Sequence, residues 1–176
     1  MWLTKSIPIR TDQDWLAGQA EIVHRRYGVI EAAAGKLVAI HFRRWPKLIT
    51  WPEFWPVGND YHAFGEADRC LLYYNHPLQH SQFLALRYMI SQRGTTYATC
   101  QVALSALDWV AEFKQTDALL CDAANHRLSD RLIRRFGWQP HKPSRWHRNY
   151  IKRFYGKYPL GAGMQRNQML EDAETH

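Results

Sequence analysis

The sequence contains no apolar run long enough to span a bilayer, no Cys-x-x-Cys pair, and a single acid in a basic stretch of its last third. The first absence argues against a membrane protein, and the opening "MWLTKSIPIRTDQDW" carries no apolar segment of a secretory leader, so a soluble, cytoplasmic chain is expected. Cysteine is scarce: Cys70, Cys100 and Cys121 form an odd set, each in apolar surroundings. Buried free thiols in a reducing compartment are therefore expected, rather than disulfides or a zinc site. His76 and His80 are separated by Pro77, and His141 and His147 have no cysteine nearby, so no metal site is expected. The patterns GxSxG, HExxH, GxxxxGK[ST] and GxGxxG are all missing, which removes the hydrolase, metalloprotease and common nucleotide-loop readings.

What is present is enough for a core. Of 176 residues, 46% are hydrophobic and 22% charged, which fits one globular domain, read here as residues 1–156 with a loose tail at 157–176. The net charge is +7, and it is unevenly placed. Between Arg127 and Arg153 there are nine Lys and Arg residues against Asp130 alone, while the rest of the chain holds 14 basic and 15 acidic residues. An anionic partner would dock on that segment; a solvated basic face is the plainer reading.

Thr11 followed by Asp14 opens a helix whose apolar spacing runs through Trp15, Leu16, Gln19, Ala20, Val23 and Tyr27, with Gly28 as its stop. "GKLVAIHF" (Gly35 to Phe42), "RCLLYYN" (Arg69 to Asn75) and "QFLALRYMI" (Gln82 to Ile90) read as strands, being short, apolar and bounded by turn residues. Between the first two lies "RRWPKLITWPEFWPVG", whose three Trp-Pro pairs predict an aromatic loop. From Phe83 the pattern is strand, helix, strand, helix. Cys100, Ala103, Leu104, Leu107, Val110 and Ala111 form a helical stripe that extends to about Gln115; "DALLCDA" (Asp117 to Ala123) is a strand; Asn125 caps a second helix that ends at Gly137. Two strands joined by one helix are expected to be parallel, with a right-handed crossover. "SRWHRNYIKRFYG" then places Trp146, Tyr150 and Phe154 on one face and Arg145, His147 and Arg153 on the other, as a late strand does.

The loop from Ser91 to Thr95 thus falls at the carboxyl end of a strand and the start of a helix, where open sheets bind ligands and where unpaired N–H groups favour anions. Gly94 permits a tight turn, Arg93 adds charge, and Thr95 and Thr96 add hydroxyl donors.

The order "LRYMISQRGTTYATCQVALSAL" then "ALLCDAANHRLSDRLIRRFGW" resembles the GNAT acyltransferase family, in which a strand leads into an R-x-x-G-x-G/A loop that grips the pyrophosphate of acyl-coenzyme A. Arg93 matches the arginine, Gly94 follows it as in R-G-x-G-x-G, Ala98 matches the final small residue, and Thr96 stands where the middle glycine stands. Asn125 matches the asparagine of the family's next helix, Ser129 its small residue and Gly137-Trp138 its closing Gly-Phe, with Ile133 at the place of a tyrosine acid. The likeness covers about Gln82 to Tyr155. It implies an α/β fold of the α+β kind: a mixed, mostly antiparallel sheet with a central pair of splayed parallel strands, flanked by helices. It further implies acetyl-CoA or another acyl-CoA as co-substrate, held by Ile90, Ser91, Arg93, Gly94, Thr95, Thr96, Tyr97, Ala98 and Asn125, and a small-molecule or peptide amine as acyl acceptor. Glu66 or His62 would serve as base and Tyr97 or Tyr155 as acid; no spacing selects among them, and no catalytic residue is assigned.

Two other readings stand beside it. One is nucleic-acid binding by residues 127–155, with Trp146, Tyr150 and Phe154 stacking on bases and the basic excess meeting phosphates. The other is a GNAT-like binding module without catalysis.

Overall fold

The structure, a computed structural model, describes residues 3–8, 12–44, 68–91, 94–122, 130–142 and 148–159. The Trp-Pro segment, Glu66, His62, Arg93, Asn125, Ser129, Trp146 and the chain beyond residue 159 lie outside them. Within them the chain forms β1 (Leu3–Pro8), α1 (Asp12–His24), β2 (Tyr27–Ala33), β3 (Lys36–Arg43), β4 (Arg69–Asn75), β5 (Phe83–Ser91), α2 (Tyr97–Phe113), β6 (Ala118–Asp122), α3 (Asp130–Arg135), β7 (Gln139–Pro140) and β8 (Asn149–Arg153). The eight strands make one open sheet in the order β1-β3-β2-β4-β5-β6-β8-β7. Every neighbouring pair is antiparallel except β5 and β6, which are parallel. Among the described residues the fold is thus a mixed α+β arrangement of a mostly antiparallel sheet and three helices.

Most expected elements appear close to their expected bounds; the amino-terminal region does not. The first helix ends at His24, and Tyr27 and Gly28 open β2 instead of closing the helix. Gly28 is a strand residue because the Tyr74 ring lies against it: a Cβ there would sit 2.5 Å from the ring carbon Cζ. The buried positions on α1 are Gly18 and Ile22, one turn apart, whereas Gln19, Ala20 and Val23 are exposed; the side chains of Trp15 and Leu16 are outside the described set. Gly18 lets Ile7 of β1 approach, since a Cβ there would meet its Cδ1 at 3.1 Å. β1 itself, "LTKSIP", is an edge strand that periodicity did not predict.

One face of the sheet carries the core. Ile30 and Ala32 of β2, Ile40 and Phe42 of β3, Leu72 and Tyr74 of β4, and Leu84 and Leu86 of β5 pack with Val102, Ala103, Ala106, Leu107 and Val110 of α2. Each fully buried aliphatic side chain in such a cluster contributes about 1.5 to 3 kcal/mol. β2 and β3 join through Ala34 and Gly35, at φ +50° and +75°, the positive pair that a two-residue type I′ turn requires. Lys114, just after α2, donates from Nζ to the carbonyls of Val23 (3.1 Å) and Arg25 (2.7 Å), closing the end of α1; its burial pulls the ammonium down to about 8. At the start of the expected tail, Tyr158 packs on Phe154 at 4.8 Å and donates to the Thr116 carbonyl at 3.0 Å.

Candidate functional site

The parallel pair sets the site. β5 and β6 pair from Phe83↔Ala118 to Leu86↔Cys121 and no further, while β5 continues to Ser91 against β4 alone. Next to that last rung the β4–β5 ladder shifts register between Tyr73↔Tyr88 and Tyr74↔Leu86, leaving Arg87 paired to neither neighbour. This is a β-bulge, a device that takes a backbone group out of a ladder and re-aims it. Where the pairing stops there is a cavity of about 250 Å³, walled by Leu86 and Met89 of β5, Cys121 of β6, and the early residues of α2. Ile133, Phe136 and Trp138 close it from the side of α3.

The short helix α3 is held in place by its ending. Gly137 has φ +83°, its N–H donates to the Arg134 carbonyl (2.9 Å), and the Trp138 N–H donates to that of Ile133 (3.4 Å). This is a Schellman motif, and the apolar pair that accompanies it, Ile133 and Trp138, faces the cavity. Across the cavity mouth the Tyr97 ring stacks on Phe136 (5.3 Å, 15° between planes) and lies under the Arg135 guanidinium (5.1 Å).

At the start of α2, Thr96 is the N-cap and accepts from the Thr99 N–H at 3.2 Å. Thr96 also gives both its donors to one carboxylate: its N–H reaches Asp68 Oδ1 at 2.8 Å and its hydroxyl reaches Oδ2 at 3.0 Å. These bonds, with one from the Thr99 side chain, hold the Asp68 carboxyl below its usual range. Thr95 donates to the Arg69 carbonyl (2.7 Å), and Thr99 accepts from the Gly35 N–H (2.7 Å). Tyr97 and Ala98 are exposed residues, and their N–H groups meet no acceptor among the described residues.

Of the expected site residues, the structure brings Thr95, Thr96 and Tyr97 to the cavity wall, puts Ala98 and Gly94 exposed beside it, and sets half-buried Ile90 and exposed Ser91 at the end of β5. Arg93 and Asn125 lie outside the described residues. Tyr155 is far along the strands: it lines a second, open cavity with Phe83, Asp117 and Ala118, at the end where the parallel pairing begins. Sequence reading missed Leu86, Met89 and Cys121, which meet at the cavity through the strand register, and Asp68 and Arg135, which touch its lining residues Thr96 and Tyr97.

A polar chain on β1, β2, β3 and β4 was also not foreseen. Ser6 Oγ lies 2.7 Å from His41 Nδ1, His41 Nε2 lies 2.6 Å from Glu31 Oε2, and Arg69 Nη2 lies 2.5 Å from Glu31 Oε1. The hydrogen bond to His41, with Arg69 adding its charge, lowers the Glu31 carboxyl.

Tyr150 and Phe154 are 3% and 4% exposed, within the core cluster, so neither offers a face to a nucleobase. Part of the basic segment is likewise paired within the chain: Lys152 with Asp108 at 2.6 Å in a buried pair, and Arg148 with exposed Asp130 and the Tyr150 hydroxyl. Among the described residues there is no group of three metal-ligating side chains and no helix long and apolar enough to cross a membrane. Compared with protein-family models, curated proteins and solved structures, the chain matches none significantly.

Proposed function

We propose that the chain is an acyl-CoA-dependent N-acyltransferase of the GNAT kind, moving an acetyl or other acyl group to an amine of a small molecule or peptide. One observation carries this reading: the apolar cavity at the only parallel rung-end among the described strands, roofed by the first turns of α2. An apolar lining of this kind suits a pantetheine arm, which is nearly uncharged. Tyr97 and Ala98, exposed residues whose N–H groups meet no acceptor among the described residues, stand at the positive end of α2 with Arg135 beside Tyr97, and favour an anion there against the charge of Asp68. The bulge at Arg87 supports a backbone N–H as the donor to the thioester carbonyl oxygen, so that positioning and oxyanion stabilisation do most of the work. The amine attacks the thioester carbon, the C–S bond breaks, and CoA leaves as the thiol.

Calorimetry on CoA-free protein with acetyl-CoA tests this directly. Saturable binding is expected, largely retained at about 0.2 M salt because few charges are neutralised, and Arg93→Ala should weaken it by about 1 to 3 kcal/mol. Absence of heat with any CoA ester at low salt would overturn it, and polynucleotide binding that persists at the same salt would put the basic segment in its place.

A further inference from the structure

The polar chain on the first four strands of the sheet lies away from the cavity. Ser6 precedes Ile7, Glu31 lies between Ile30 and Ala32, His41 between Ile40 and Phe42, and Arg69 precedes Cys70; each of these neighbours belongs to the core beneath α2 or packs against it. Side chains alternate along a strand, so Ser6, His41, Glu31 and Arg69 share the opposite face and follow one another across β1, β3, β2 and β4. Ser6 and His41 are directly opposed in the β1–β3 ladder, which is why hydroxyl and ring meet.

The bonds fix where the protons sit. A carboxylate only accepts, so the 2.6 Å contact of His41 Nε2 with Glu31 Oε2 places the hydrogen of the neutral ring on Nε2. Nδ1 is then an acceptor, and the Ser6 hydroxyl, 2.7 Å away, is its donor. Arg69 holds the other carboxylate oxygen at 2.5 Å, and the bond from His41 and the charge of Arg69 keep Glu31 ionised, so that it orients the ring without taking its proton. The His41 and Glu31 side chains are 16% and 14% exposed, shielded from competing water, whereas Ser6 is open to solvent.

We propose that Ser6, His41 and Glu31 act as nucleophile, base and orienting group at a second site, which takes acyl groups from small activated esters and releases them to water. Ser6 Oγ attacks the ester carbonyl carbon and passes its proton to His41 Nδ1; the bond from that carbon to the leaving oxygen breaks, and the leaving group takes the proton. Water, giving a proton to the same Nδ1, then attacks the acyl carbon; the ester bond to Ser6 breaks, the proton returns to Oγ, and a carboxylic acid leaves. Neither cavity described above includes Ser6, so the site selects a small ester that is already activated over a bulky one or an amide. GxSxG marks a serine on a strand-to-helix turn; here the serine is inside a strand and its base is 35 residues away. The site lies on the other face of the sheet from α2, so it stands apart from the acyl-CoA reading.

The test is incubation of the full chain with p-nitrophenyl acetate, following nitrophenol release and mapping acetylated peptides after an acid quench. Ser6 should be acetylated roughly a hundred-fold or more faster than Ser91, an exposed serine with no histidine bonded to it among the described residues. Ser6→Ala should remove that acetylation and the turnover that goes with it, and His41→Ala should do the same. Ser6 is exposed, so the Ser6→Ala comparison holds even where a variant of the more buried His41 does not fold. Ring ¹⁵N NMR should show the hydrogen of neutral His41 on Nε2, a preference that Glu31→Gln weakens while slowing Ser6 acetylation roughly ten-fold or more. Acetylation of Ser6 no faster than that of Ser91, turnover unaltered in Ser6→Ala, or the hydrogen on Nδ1 would overturn the proposal.

Discussion

Asp68 sits on the amino-terminal end of α2 by accepting from both the N–H and the hydroxyl of Thr96. A carboxylate there already satisfies one of the donors that an incoming phosphate would use, and it adds a like charge beside the others. Asp68→Asn keeps an acceptor for Thr96 and removes the charge. Acetyl-CoA affinity measured by calorimetry should rise roughly two- to five-fold at low salt, with the gain shrinking as salt is added. Unchanged affinity at low salt would place the pyrophosphate away from this helix end.

Gly28 and Tyr74 are a fitted pair, and each has a distinct expected response. Gly28→Ala would put a methyl 2.5 Å from the Tyr74 ring, and should cost about 1 to 3 kcal/mol in urea unfolding. The Tyr74 hydroxyl is buried with no partner among the described residues, and burial pushes its pKa up, disfavouring the phenolate. Tyr74→Phe should therefore be neutral or stabilising by about 1 kcal/mol, and a loss above that would reveal a bond to the hydroxyl.

Asp108 and Lys152 pair at 2.6 Å between α2 and β8, yet burial pushes the Asp108 carboxyl up to about 6. The folded form then holds a proton that the unfolded chain, titrating near 3.8, releases earlier. Its contribution is fully present below about pH 4 and is lost as pH rises through about 6. Stability of the native chain relative to Asp108→Asn should fall by on the order of 2 to 3 kcal/mol from pH 4 to 7, as read by chemical denaturation at each pH. A difference that is flat with pH, or that rises, would mean that Lys152 keeps the carboxylate charged throughout.

Gly137→Ala tests whether the ending of α3 shapes the cavity. The left-handed backbone there and the nearness of Lys152 Cε, 3.3 Å from an added Cβ, should together cost about 1 to 2 kcal/mol. Fluorescence of Trp138, which is buried in the cavity wall, should shift towards that of an exposed indole. A stable variant with unaltered emission would show that the Schellman ending is dispensable.

The central elements were legible because their signals are local. β4 matches Arg69–Asn75, and α2 and β6 fall inside their expected spans, since apolar runs and a single stripe are bounded by glycine, proline or threonine. β2 was hidden because Tyr27 continues the helical spacing and Gly28 looks like a stop; its real partner, Tyr74, is remote in sequence. Asp68 was hidden for the same reason: it caps a helix from 28 residues upstream, with no local spacing to betray it. The cavity wall at Leu86, Cys121 and Ile133 exists only once the parallel register is set.

That register has a thermodynamic side. Five strands lie on one flank of the β5–β6 junction and three on the other, and only four rungs of parallel ladder join them. A short seam between two larger units is where a sheet opens at less than the cost of global unfolding, so amides of β6 and β8 should exchange with solvent ahead of those of β2 and β4. Leu86 and Cys121 are both the last rung and two of the cavity walls. Whatever fills the cavity therefore braces the final rung, and occupancy should be readable as slowed exchange in β8, a strand with no residue in that wall.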